Sequence, residues 1–297
     1  MKNSALILLI LLSGCTSLSV PKIENWGIYS LDLGSKKADL IYSSAEKLTG
    51  VSVKDNLFAF EMNEEIYTYN KNSKVLAQLT NNTYLDTYPI FSPNGLKLAY
   101  LSMNNTLDIR VMNVDGSDDE LLYDSGFHDA DISWINDKIV FTRNSRVWIM
   151  DDSGFNAKQL TNYSEAEVWG KANLPFGDYD PRISHDGSKI VFERLLDDVS
   201  VHGNYDLFLI NVDGSNEARL TNTGYSQGLA SWSPNDKKLV YSVAAINDSG
   251  AFDLYMINID GSNNKNITPD YFPSNFLIQS SLFYSDNLIY FIGQWWE

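Results

Sequence analysis

Apolar and polar residues alternate with a period of two through most of the chain beyond residue 26. Such alternation marks strands with one buried face. One block, strand–tight turn–strand, reads IFSPNGLKLAY at 90–100, RISHDGSKIVF at 182–192 and SWSPNDKKLVY at 231–241. A second block reads DIRVMNVDGSDDELL at 108–122, DLFLINVDGSNEARLT at 206–221 and DLYMINIDGSNNKNIT at 253–268. The two blocks alternate along the chain. The Asn-Gly and Asp-Gly pairs at 94–95, 115–116, 186–187, 213–214 and 260–261 supply turns, because Gly and Asn tolerate positive φ. These pairs are structural and do not form metal loops.

Weaker copies fill the gaps. Residues 131–141 and 147–161 form one pair of blocks, and 51–60 with 65–80 form another. The aromatics that close the first block are Phe60, Tyr100, Phe141, Phe192, Tyr241 and Tyr290, spaced by 40, 41, 51, 49 and 49 residues. A repeat of about 40–50 residues with four strands predicts a β-propeller. Residues 277–291 hold only a first block and 26–42 only a second, so together they make one blade. The expected fold is all-β: a six-bladed propeller of four-stranded antiparallel blades over 26–297, closed by strands from both termini. The other blades fall at about 46–80, 84–124, 127–161, 177–221 and 226–268. Closure removes the open edge that would invite aggregation.

The SPNGLKLAY and VDGSNEARLT pattern resembles the PD40, or WD40-like, repeat of the TolB-type propeller family. The resemblance covers essentially all of 26–297. It implies a six-bladed propeller that binds periplasmic partners. It does not imply membership of a Tol–Pal system, and the additional N-terminal α/β domain of the family's namesake has only about ten residues to match it here.

Composition narrows the partners. With 22 Lys+Arg against 38 Asp+Glu, the formal net charge is −16. Phosphate contact needs clustered cations, so no nucleic-acid partner is expected. Anionic membrane surfaces are disfavoured, and basic peptides or proteins are favoured. A single Cys excludes an internal disulfide and any Cys-based zinc site. That Cys lies in MKNSALILLILLSGC, where Lys2 precedes an apolar run from Ala5 to Leu12 too short to span a bilayer. Leu12-Ser13-Gly14-Cys15 looks like a bacterial lipobox, with Cys15 as the acylated residue of the mature N-terminus and 16–25 as a tether. The expected address is the cell envelope, at the periplasmic face of the outer membrane in a Gram-negative source. The membrane would be reached through the anchor, and the chain is expected to be monomeric.

Propellers bind through their longer, variable loops. The long connections here are 162–179, with Trp169 and Phe176, and 193–205, with Asp197, Asp198 and His202. Counting back three and five positions from the hydrophobic anchors of the innermost strands gives Asp86 with Tyr88, Asp129 with Asp131, and Asp178 with Asp180. These residues are expected to gather at the channel mouth. Crowded carboxylates in a low dielectric repel until a cation arrives, either Ca2+ or a basic side chain. The alternative is that they cap loops and are solvated. Three His residues are few for a metal triad, and the repeats fill the chain that the additional α/β-hydrolase domain of a propeller peptidase would need, so the expectation is a binding or scaffold module without catalysis. A carbohydrate-binding or carbohydrate-active propeller using the same face is the alternative.

Overall fold

The computed structural model describes residues 24–197, 203–245, 252–273 and 275–296. Cys15, Asp198 and His202 lie outside the described residues. The described chain forms six sheets of four antiparallel strands. Within each blade the strands are lettered A to D outward from the axis. Strand A comprises Leu48–Lys54, Leu85–Phe91, Asp129–Ile135, Gly177–Ile183, Tyr225–Trp232 and Leu277–Ser285. Each strand A touches the next around a closed ring.

The closing blade takes A and B from the C-terminus and C and D from the N-terminus. Glu24–Asp32 pairs antiparallel with Leu288–Trp296 over nine residues, from Glu24 opposite Trp296 to Asp32 opposite Leu288. Two opposed chain ends thus share one ladder, and no inner strand is left unpaired.

The repeat aromatics explain why these sequences stack as blades. Phe60, Tyr100, Phe141, Phe192, Tyr241 and Tyr290 are all at most 1% exposed. Each lies in strand B and packs between neighbouring sheets. Tyr290 meets Phe58 of the next blade edge-to-face at 4.9 Å. Trp134 joins a cluster with Ala99, Leu101 and Ile109 of the preceding blade, and Trp232 Nε1 donates to the Arg182 carbonyl across a junction at 2.8 Å. Trp295 stacks on Phe276 at 6.2 Å within the closing blade.

Polar ties repeat with the same regularity. The Ser of each DGS turn donates to the turn Asp, as Ser117 does to Asp115 at 2.6 Å. This confirms the turns as structural. Thr80, Thr161, Thr221 and Thr268 each accept a backbone N–H from strand C of their own blade. Thr221 and Thr268 then donate to Asp206 and Asp253. Asp206 and Asp253, near the start of strand C, thus each hold a threonine hydroxyl. Asp108 does the same with Thr106 at 2.9 Å.

Blades are linked through their A–B turns, on what is here termed the turn face. Lys54 reaches the Pro93 carbonyl at 2.8 Å, the His185 N–H reaches Asp236 at 2.9 Å, and Asn235 reaches Asp286 at 2.8 Å. His185 is thereby committed to a structural junction.

Truncating one repeat aromatic should empty space in a close-packed interface. Phe192→Ala is expected to cost about 3–5 kcal/mol. The check is a lowered urea midpoint at unchanged slope, and a shift of under a third of that would show that the stacking does not depend on these rings.

Candidate functional site

Strand A starts at the mouth face, which carries the D–A and B–C connections, and runs to the turn face. Partway along, its pairing with strand B slips in every blade. The breaks fall at Thr49/Ser52, Thr87/Ile90, Ala130/Ser133, Tyr179/Arg182, Gly228/Ser231 and Ile278/Ser280. Five of these bulges hold a residue at positive φ: Gly50 at 60°, Tyr88 at 50°, Asp131 at 55°, Asp180 at 47° and Leu229 at 54°. A bulge inserts one unpaired residue and re-aims its side chain. Crowding shows why glycine stands at the first. A Cβ on Gly50 would lie 2.9 Å from the Cα of Tyr88 in the next blade.

The bulge divides the predicted carboxylates into two sets. Asp86, Asp129 and Asp178 precede it and turn away from the axis into polar ties of their own blades. Asp129 accepts from Arg143 at 2.7 Å and from Ser125 at 2.8 Å. Asp178 is gripped by both arms of Arg194 at 2.5 and 3.0 Å. Asp86 accepts from Asn82 at 2.6 Å. All three are 0% exposed. The two arginines are stacked on aromatics as well: Arg143 lies 4.5 Å from the ring centre of Trp148, and Arg194 lies 4.5 Å from that of Phe208. Asp178 and Glu217 together hold the Arg194 guanidinium more firmly charged than usual. These are blade-locking pairs. The expectation that they open onto the channel mouth is corrected by the bulge, which the sequence pattern does not reveal.

Tyr88, Asp131 and Asp180 are the residues that the bulges aim at the axis. Tyr88 feels the charges of Asp131 and Asp180 from two other blades, which places all three around one centre. Asp131 is 3% exposed and Asp180 is 2% exposed. The Asp180 backbone N–H donates to Asp131 Oδ2 at 3.3 Å. Arg182 donates to Asp180 Oδ1 at 3.0 Å and to the Asp131 carbonyl at 3.4 Å.

A residue not expected from the sequence completes the cluster. Glu193, on strand B beside Tyr179, is 8% exposed and sits against Asp180. Its carboxylate presses on the Gly228 backbone of the next blade, where a Cβ would lie 2.0 Å from Oε2. Three carboxyl groups thus lie in the field of the Arg182 guanidinium, which pairs with Asp180. Burial, and then Asp180, push Asp131 up to about 7. Burial, Asp180 and Asp131 push Glu193 well above the ordinary carboxylate range, Arg182 acting against them. Asp180, whose Oδ2 has no hydrogen-bond donor among the described residues, thus favours the protonated form of Glu193. Tyr179 and Tyr205 form the adjoining wall, their phenols raised by burial.

The other predicted residues lie outside this cluster. Phe176 is half-buried against Ala172, Tyr179 and Leu195 and so seals the wall from outside. Trp169 is 62% exposed on the mouth face, in a loop fastened by the Arg146–Glu167 ion pair at 2.9 Å. Asp197 ends its strand B. His128 accepts the Leu107 N–H through Nδ1 at 3.0 Å, and burial holds its pKa low.

The fold matches solved propellers. A structure titled putative TolB from Agrobacterium tumefaciens superposes with a TM-score of 0.73 at 13% identity, covering 92% of this chain and 99% of that one. TolB from Acinetobacter baumannii gives 0.64 at 17%, covering 82% of this chain and 63% of that one. An oligogalacturonate lyase from Vibrio parahaemolyticus gives 0.56 at 14%, covering 88% and 76%. No protein-family model matches the chain, and no curated protein matches it. At these identities the likeness is one of fold: a TolB-like six-bladed propeller.

The cluster has a pH signature. Asp131 and Glu193 have folded pKa values above their unfolded ones, so the native state holds more protons than the unfolded chain. Their contribution is therefore full at low pH, falls as pH rises from the ordinary carboxyl range towards 7, and then levels off for Asp131. The melting temperature should fall between pH 5 and 7.5. Asp131→Asn should flatten that fall and melt higher at pH 7.5. Equal slopes in both proteins would show that Asp131 carries no excess proton.

Proposed function

We propose that this chain is a lipid-anchored propeller of the bacterial cell envelope that acts as a binding or scaffold module. Its ligand site is the axial cluster of Asp131, Asp180 and Glu193, and its ligand is a cationic group borne by a periplasmic protein or a basic peptide segment. The observation that carries this reading is the crowding at the centre: the buried carboxyl groups of Asp131, Asp180 and Glu193 meet there, beside the Arg182 guanidinium that donates to Asp180. An arriving ammonium or guanidinium would favour the ionised carboxyls and satisfy Asp180 Oδ2. Coulomb attraction is strong in such a desolvated place. A Lys or Arg side chain is proposed ahead of Ca2+ because the cluster already holds one guanidinium, that of Arg182, between Asp180 Oδ1 and the Asp131 carbonyl. The TolB-like fold and the lipobox-like Leu12–Cys15 motif support the envelope address.

A second reading, recognition of a carbohydrate, is favoured by one observation: Trp169 offers a large exposed ring on the mouth face. Sugars stack on such rings, and lyase propellers share the fold.

Basic peptides separate these readings when titrated by calorimetry. Lys/Arg-bearing heptapeptides should bind the wild type and lose at least tenfold in affinity to the Asp131→Asn/Asp180→Asn variant. Asp129 and Asp178 should be left intact in that experiment, since each holds a buried arginine and removing it would strand a charge. Unchanged peptide affinity would remove the cluster from consideration. Saturable binding of neutral glycans, lost in Trp169→Ala, would favour the second reading.

A further inference from the structure

Three blades place an exposed aromatic within two residues of the start of strand A, Tyr84 at 41%, Phe127 at 54% and Tyr225 at 52% exposure, and Trp169, at 62%, stands in the long D–A connection of a fourth. Blade topology puts all of them on the mouth face, because every D–A connection lies there. Apolar rings in the open cost free energy, and four in or beside successive D–A connections form an aromatic collar on one face rather than scattered surface residues. The partly buried Trp296 ends its strand B on this face as well.

The chain's own beginning leaves from the same side. Glu24, first residue of the closing blade's strand C, is paired with Trp296 at the mouth-face end of that sheet. Eight residues, 16–23, separate it from Cys15. Fully extended, they reach about 26–29 Å. If Cys15 is acylated, as the proposed function holds, the mouth face stays within that distance of lipid.

We infer that the mouth face is a membrane-contacting surface whose aromatic collar rests in the headgroup layer of a zwitterionic, ammonium-bearing phospholipid surface. Tyr and Trp favour this depth, where an apolar ring and a polar edge are both satisfied. Charge selects the lipid. Glu46, Glu64, Asp124, Glu165 and Glu167 are exposed on this face, against Lys47 and Lys171. Such a rim complements the ammonium of phosphatidylethanolamine and disfavours anionic headgroups. This inference rests on the anchored reading of the chain.

The test uses the full acylated chain in phosphatidylethanolamine/phosphatidylcholine vesicles with and without bromine on the upper acyl carbons. Bromolipid should quench a component of the tryptophan emission that Trp169→Phe removes. Phe155→Trp, on the turn face and 69% exposed, should add emission that bromolipid leaves intact. An unquenched Trp169 component would overturn the inference and return the collar to a protein partner. Equal quenching of the tryptophan at position 155 would overturn the orientation. Intact mass, measured on the same sample, reads acylation separately. A chain without acyl groups would overturn the anchor itself, whatever the quenching shows.

Discussion

Six strands have to meet around one axis, and they do so by each giving up one register of pairing. The bulge in strand A is the constraint on which the rest of the site depends. It bends the inner strand, raises its twist and leaves one residue per blade unpaired and aimed inward. Left-handed backbone costs roughly 1–2 kcal/mol for a residue with a Cβ, so the ring holds Tyr88, Asp131, Asp180 and Leu229 there against a local preference. Packing between sheets offsets that cost: the rings of Phe141, Phe192 and Tyr241 are buried to within 1%.

The same constraint sorts the charges. Residues two apart in a regular strand share a face, and Asp129 and Asp131 would lie together. The bulge between them sends Asp129 back to Arg143 and Asp131 forward to the axis. The earlier carboxylates fasten each blade internally. The later ones, with Glu193, meet across blades and carry unresolved charge. Locking within a blade and crowding at the axis thus fall to residues two apart on one strand.

Much of the fold was legible in the repeats. The recurrent aromatics, the DGS turns and the half-blades at each end led directly to six closed blades, and the structure has that arrangement. The candidate site was legible only in part. Asp131, Asp180 and Tyr88 stand out as polar residues in an inner strand, yet alternation alone cannot separate them from their neighbours two positions earlier. Glu193 gave no signal, because it sits in a strand B that otherwise reads as core, and its role follows from contact with the Gly228 backbone of the next blade. The collar had a signal that was available but subtle: an aromatic within two residues of strand A at Tyr84, Phe127 and Tyr225. Trp169 alone was conspicuous, since its loop is long.

The most direct test of the central claim is a carboxyl-carbon NMR titration of the intact protein. If the bulges gather Asp131, Asp180 and Glu193 around a single guanidinium, the Asp131 carboxyl should titrate near pH 7, and that of Glu193 should titrate well above the ordinary carboxylate range. Both carboxyls titrating in the ordinary range near pH 4 would contradict the account, because groups that ionise so readily are solvated or separately paired and leave no charge for a ligand to complete.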